Sequence, residues 1–146
     1  MPNAQKDDRL IYLISTAQHM LKLRIKDELL AAGVKITLVQ AGILFLLIEE
    51  NGQAMSNLSR LLSLDNSTVT GLVDRLEKTG YVRRRSKLND RRVSLIYITT
   101  RGIKEAEKAD KIITRANEEI RTGFSKEDIE SFKKVLGGLI AKFKKV

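Results

Sequence analysis

Between Asn66 and Gly80 the chain reads NSTVTGLVDRLEKTG, which sets short hydroxyl side chains and a missing side chain beside cations: Ser67, Thr68, Thr70 and Gly71, followed by Arg75 and Lys78. Hydroxyls bond base edges or phosphates, cations neutralise phosphates, and a glycine lets a helix approach another surface closely. These residues form a poor helix opening, since β-branched side chains lose rotamers and glycine costs about 1 kcal/mol relative to alanine. Something other than helix stability placed them, although an ordinary surface helix also fits this stretch taken alone. A second cluster follows at Arg84, Lys87, Asp90, Arg91 and Arg92. Arginine at the tip of a turn can enter a narrow minor groove, where the potential is most negative, and a carboxylate at Asp90 can fix the rotamer of a neighbouring arginine. A solvated charged turn is the bland reading of the same residues.

The elements that position these clusters follow from periodicity. Val69, Leu72, Val73 and Leu76 recur at i, i+3, i+4, i+7, so 66–80 is a helix with one core face, capped by Asp65 or Asn66 and stopped by Gly80. Upstream, Ser56 is expected to start a short helix with Leu58, Leu61 and Leu62 inward, joined to the next by only Ser63-Leu64-Asp65. Two short helices across such a turn make a helix-turn-helix pattern. Beyond Gly80 the period changes to alternating: 81–86 and 93–98 are predicted strands around a polar loop over 87–92, a β-hairpin wing whose apolar residues must pack on the helices.

The rest of the chain is helical. A long helix is expected over 7–32, with a wider apolar surface than one contact uses and Gly33 as its stop. Thr37 and Gln40 have capping-box spacing ahead of a second helix, apolar all round and so expected to be buried, which closes at Asn51-Gly52; 53–55 is a candidate short strand. Thr99 or Thr100 caps a fifth helix to about Thr122, and Ser125 with Asp128 opens a sixth with an apolar seam from Ile129 to Phe143. Gly137-Gly138 inside that helix costs about 2 kcal/mol in propensity, which close approach of another helix would offset.

The 146 residues fit one unit, and the formal charge of +9 points to a polyanionic partner. Between Asp74 and Arg92 eight basic side chains face three acidic ones, so +5 of the +9 lies in that window. With no cysteine, one histidine and no glycine-rich phosphate loop, no nucleophile, base and orienter assemble: an enzyme is not expected, nor a metal or other cofactor. A membrane-surface module would need a basic amphipathic helix, whereas this charge concentrates on a hairpin and the helix before it. No span-length apolar run or signal pattern occurs, so the expectation is a cytoplasmic protein without a membrane partner.

From Ile36 to about Ala109 the residues resemble the MarR (multiple antibiotic resistance regulator) family of winged-helix transcription factors. The resemblance rests on Thr37 with Gln40, the run from Leu64 to Thr70, the run from Leu72 to Val82, Arg84, Asp90-Arg91-Arg92 and Thr99 to Gly102, in that order and spacing. It implies a mainly α fold with a small β-hairpin: a winged helix-turn-helix DNA-binding domain over 36–102 between dimerisation helices at 1–35 and 103–146. It further implies a homodimer on double-stranded DNA with a palindromic operator, and Arg92 in the minor groove with Asp90 as its orienter. The expected function is a transcriptional regulator, a repressor, with DNA contacts from Ser67, Thr68, Thr70, Gly71, Arg75, Lys78, Arg84, Lys87, Asp90, Arg91 and Arg92. A small aromatic or amphipathic effector is expected where the first, second and fifth helices meet, with Tyr12, His19, Arg24 and Phe45 as candidates. A ligand-independent or nucleoid-type DNA-binding protein is the alternative. Three departures from the family pattern stand out: Ser59 for a usual alanine, Ser63 for a usual glycine, and Gly71 where a longer side chain is common.

Overall fold

The structure is a computed structural model that describes residues 9–144; Asp7, where the first helix was expected to begin, lies outside them. In chain order come α1 (Leu10–Ala31), α2 (Leu38–Glu49), β1 (Gln53–Ala54), α3 (Met55–Leu62), α4 (Asn66–Lys78), β2 (Val82–Lys87), β3 (Asp90–Ile98), α5 (Thr100–Arg121) and α6 (Lys126–Phe143). The strands form one antiparallel sheet in the order β1-β3-β2, so β2 is an edge. This is the winged-helix arrangement: α3 and α4 make the helix-turn-helix, the β2–β3 hairpin the wing.

Local chemistry explains the boundaries. The capping box at α2 is complete, with Thr37 Oγ1 accepting from Gln40 N–H and Gln40 Oε1 accepting from Thr37 N–H. Thr99 caps α5 by accepting from Gly102 N–H, and Ser125 caps α6 by accepting from Asp128 N–H. Ser56, in contrast, caps nothing: α3 begins at Met55 after Ala54, without a side-chain cap. Three helices end in the same way, by a left-handed residue whose N–H and that of the next residue return to the last turn. After α1 these bonds run Gly33 to Leu30 and Val34 to Leu29; after α3, Ser63 to Arg60 and Leu64 to Ser59; after α4, Gly80 to Glu77 and Tyr81 to Leu76. Glycine fills the left-handed position at 33 and 80, but Ser63 holds φ 54°.

The core gathers on α2. Ile43, Leu44 and Leu47 are buried against Leu58 of α3, Val69, Val73 and Leu76 of α4, Val82 and Ile96 of the sheet, and Ala106 and Ala109 of α5. The expectation that α2 is buried all round is corrected, since Leu38, Val39 and Ile48 are exposed; the helix has a solvent flank lined with apolar residues. Leu61 likewise turns outward, while Leu58 is fully buried. At the ends of the chain, α1 buries only Ile25 and Leu29, and α6 buries nothing.

Candidate nucleic-acid interface

The N-terminal turn of α4 is organised by one carboxylate. Asp65 accepts from Thr68 N–H at 2.7 Å, from Ser67 Oγ at 2.6 Å and from Thr68 Oγ1 at 2.9 Å. Three donors on one carboxylate favour its charged form, and they hold its pKa down to about 2, the Ser67 hydroxyl being the largest cause. Thr70 donates its hydroxyl proton to Asn66 C=O at 2.7 Å. All three hydroxyl protons are thus committed within the chain, and the oxygens offer lone pairs outward. A Cβ at Gly71 would meet nothing within 4 Å, so this glycine serves no internal packing.

The hairpin corrects the sequence reading. Its turn is only Leu88-Asn89, because β2 runs to Lys87 and β3 already begins at Asp90; the expected loop over 87–92 is mostly strand. Exposed charged strands show no apolar alternation, which is why the sequence reads there as a loop. The register slips between Ser86 and Lys87, from the pair Ser86–Ser94 to the pair Lys87–Asp90, so 91–93 bulge out of the ladder. Asp90 Oδ1 accepts from Arg92 N–H at 3.0 Å and from Arg92 Nε at 3.1 Å, and this arginine holds the Asp90 carboxyl below its ordinary value. The Arg92 side chain is otherwise 92% exposed.

Arg84 behaves differently. Its guanidinium donates to Asp74 of α4, and its shielded Nε lies 3.8 Å from a Glu77 carboxylate oxygen. It ties the wing to α4, whereas Arg75, Lys78, Lys87 and Arg91 are exposed and form no ion pair among the described residues. Two more exposed cations, Arg83 and Arg85, were not among the sequence candidates; the period of two along β2, with Val82 and Arg84 facing α4, is the signal that sets them apart.

Of the residues expected to hold an effector, Tyr12, His19 and Arg24 lie on α1 and Phe45 on α2. Tyr12 and Arg24 sit on one helix about 18 Å apart at 1.5 Å per residue. Arg24 bonds Glu28 at 2.6 Å and Glu119 of α5 at 3.1 Å, which joins α1 to α5. Tyr12 and His19 are exposed, and Phe45 packs half-buried on the core. Among the described residues, no helix is long and apolar enough to cross a membrane and no cluster of His, Cys, Asp and Glu has metal-site geometry.

Comparison with known proteins agrees with this architecture. Over 96 residues the chain is 32% identical to the HTH-type transcriptional regulator TtmR of Methylorubrum extorquens (strain PA1), a match that covers 66% of this chain and 48% of TtmR, so the chain spans about half the length of that relative. The structure of the S. aureus MepR–DNA complex superposes with a TM-score of 0.86 at 24% identity, covering 94% of this chain and 100% of that one. CouR from Rhodococcus jostii RHA1 bound to p-coumaroyl-CoA superposes with a TM-score of 0.76 at 23% identity, covering 90% of this chain and 91% of that one. At those identities the two structures establish the fold. Residues 36–94, from just before the Thr37 cap of α2 to the bulge of the wing, match the MarR family.

Proposed function

We propose that this protein is a repressor that binds double-stranded DNA sequence-specifically as a homodimer, with α4 in the major groove and Arg92 in the minor groove. The observation that carries this reading is the pairing of an Asp65-organised hydroxyl turn on α4 with an arginine braced by Asp90 on the adjacent wing. With their protons committed, Ser67, Thr68 and Thr70 meet the groove as acceptors, which suits the amino groups of adenine and cytosine; Arg75, Lys78, Lys87 and Arg91 supply phosphate contacts, and Gly71 allows close approach. Arg84 acts through Asp74, setting the angle of the wing.

Residues 36–102 are the DNA-binding domain in this reading, and 1–35 with 103–146 are dimerisation helices. The exposed apolar surfaces of α1 and α6 support this assignment, since a partner would cover them. The ligand-bound CouR structure supports release by a small aromatic or amphipathic effector. Because Tyr12 and Arg24 are separated along α1, an effector touching both must be long or must use residues of both subunits.

Selection of bound sequences from random duplex DNA tests the reading. Enrichment of a palindrome with half-site centres about one helical turn apart, near 10 base pairs, is expected. Binding without enrichment identifies a nucleoid-type protein instead.

A further inference from the structure

We propose that Arg83 and Arg85 form a second phosphate-holding strip on the face of the wing turned away from α4, gripping the duplex outside the half-site that α4 reads. The inference rests on the DNA-binding reading above and extends its footprint.

Strand alternation divides the basic side chains of β2 between two faces. Val82 is buried and Arg84 bonds Asp74, so their face looks toward α4. Arg83 and Arg85 take the opposite face, in register with Tyr97 and Leu95 of β3. Both are exposed, and neither forms an ion pair among the described residues. They line a shallow groove with Asn51, Tyr97 and Thr100, and no carboxylate lines it. A charged surface that merely keeps a protein soluble mixes both signs; this one carries a single sign. Side chains two apart on a strand stand about 7 Å from one another, so each guanidinium can take a separate phosphate, bidentately.

The partner follows from where the wing sits. A hairpin in a minor groove is bordered by two phosphate rows. The face carrying Arg84 is turned to α4 and hence to the inner row, leaving Arg83 and Arg85 to the outer one. The competing account is edge protection: β2 is an edge strand, and charge on an edge blocks pairing with another chain. Edge protection requires no dependence on DNA.

The test uses the full chain, wild type and the double variant Arg83→Thr/Arg85→Thr, which keeps strand-forming residues. The probes are two fluorescent duplexes carrying a sequence recovered by selection, one trimmed at the outer edge of the wing contact and one extended by about ten base pairs, one helical turn, on each side. For wild type the extended duplex should bind more tightly. The variant should bind both alike, and its log K against log salt on the extended duplex should be flatter by about 1.8 per subunit, two contacts at roughly 0.9 each. Equal melting temperatures establish that the variant is folded. Unchanged slope and unchanged length preference overturn the inference while leaving DNA binding intact, and self-association of the variant with unaltered affinity assigns the arginines to edge protection. A wild type that binds neither duplex overturns the functional reading and this inference with it.

Discussion

Replacing Gly102 with alanine should unseat the junction that holds the wing against α4. A Cβ at this position would lie 2.2 Å from the Tyr81 carbonyl oxygen and 2.8 Å from the Ile98 side chain. Ordinary contact needs more than 3.4 Å, so the first turn of α5 and the base of β2 must separate by roughly 1 Å. The Tyr81 carbonyl is not free to move, because it accepts from Thr99 N–H at 3.0 Å while Thr99 Oγ1 donates to Gly80 C=O at 2.6 Å. Overpacking a tight site costs about 1–3 kcal/mol, and loss of one such hydrogen bond adds about 1 kcal/mol. The sum, about 2–4 kcal/mol, corresponds to a fall in Tm of roughly 5–15 °C for a chain of this size. Calorimetry at fixed protein concentration measures it, and DNA affinity should fall as well because the wing hinges on the same bonds. A Tm within about 1 °C of wild type would refute the reasoning, since backbone, unlike a flexible side chain, has no cheap way to yield.

The remaining predictions rest on single contacts. Ser63→Gly should raise stability by about 0.5–1 kcal/mol, as relief of a left-handed strain of about 1–2 kcal/mol outweighs the added freedom of the unfolded chain; a lower denaturation midpoint would show that the serine hydroxyl matters. Because the Asp65 carboxyl titrates near 2 when folded and near 3.8 ordinarily, its stabilising contribution is complete above about pH 4 and is lost as pH falls through 2; Asp65→Asn, still a good cap, should flatten stability over that window in acid titrations. Asp90→Ala should weaken DNA binding several-fold although it removes a negative charge, because freeing Arg92 restores rotamer entropy that binding must then remove; in an Arg92→Ala background the effect should vanish or reverse, and tighter binding by the single variant would sink the bracing role. Leu136→Asp with Leu139→Asp should abolish dimerisation and operator binding in sedimentation and titration experiments, whereas a folded monomer that still binds the operator would contradict the proposed assembly.

What was legible in the sequence was the chemistry that acts over a few residues. The capping box at Thr37 and Gln40, the Ser125 cap and the glycine stops at 33 and 80 each depend on neighbours within about one turn and occur in the structure as read, and of the two caps open for α4, Asp65 or Asn66, the structure uses Asp65. The recognition-helix face was legible for the same reason, since Val69, Val73 and Leu76 keep helical spacing and are buried, with Leu72 half-buried at the margin. What failed needed a second element. The hairpin ends were misread because a wing in solvent has no apolar face to alternate; Arg84 was grouped with the exposed cations because its partner Asp74 lies on another element. Ser63 marked a departure from the family pattern, but only its φ of 54° shows why glycine is usual there.

The same distinction applies to α6, whose apolar seam was legible in the sequence and is left without a fully buried residue in the fold. A helix in a protein draws most of its stability from packing an apolar face rather than from propensity, and α6 has no buried residue. Its glycines at 137 and 138 weaken it further, and a Cβ on either would meet nothing within 4 Å, so no helix of the same chain approaches them. Phe132, Val135, Ile140 and Phe143 are exposed, as are Leu10, Ile11, Leu13 and Ile14 at the other end of the chain. Burying such a side chain contributes roughly 1.5–3 kcal/mol, so these two surfaces hold enough unburied apolar area to stabilise an assembly. The homodimer proposed above resolves the imbalance and gives it a function. If two copies bury these helices against each other, the same packing fixes the distance between their α4 helices, and an effector acts on DNA affinity only to the extent that it favours one such spacing over another.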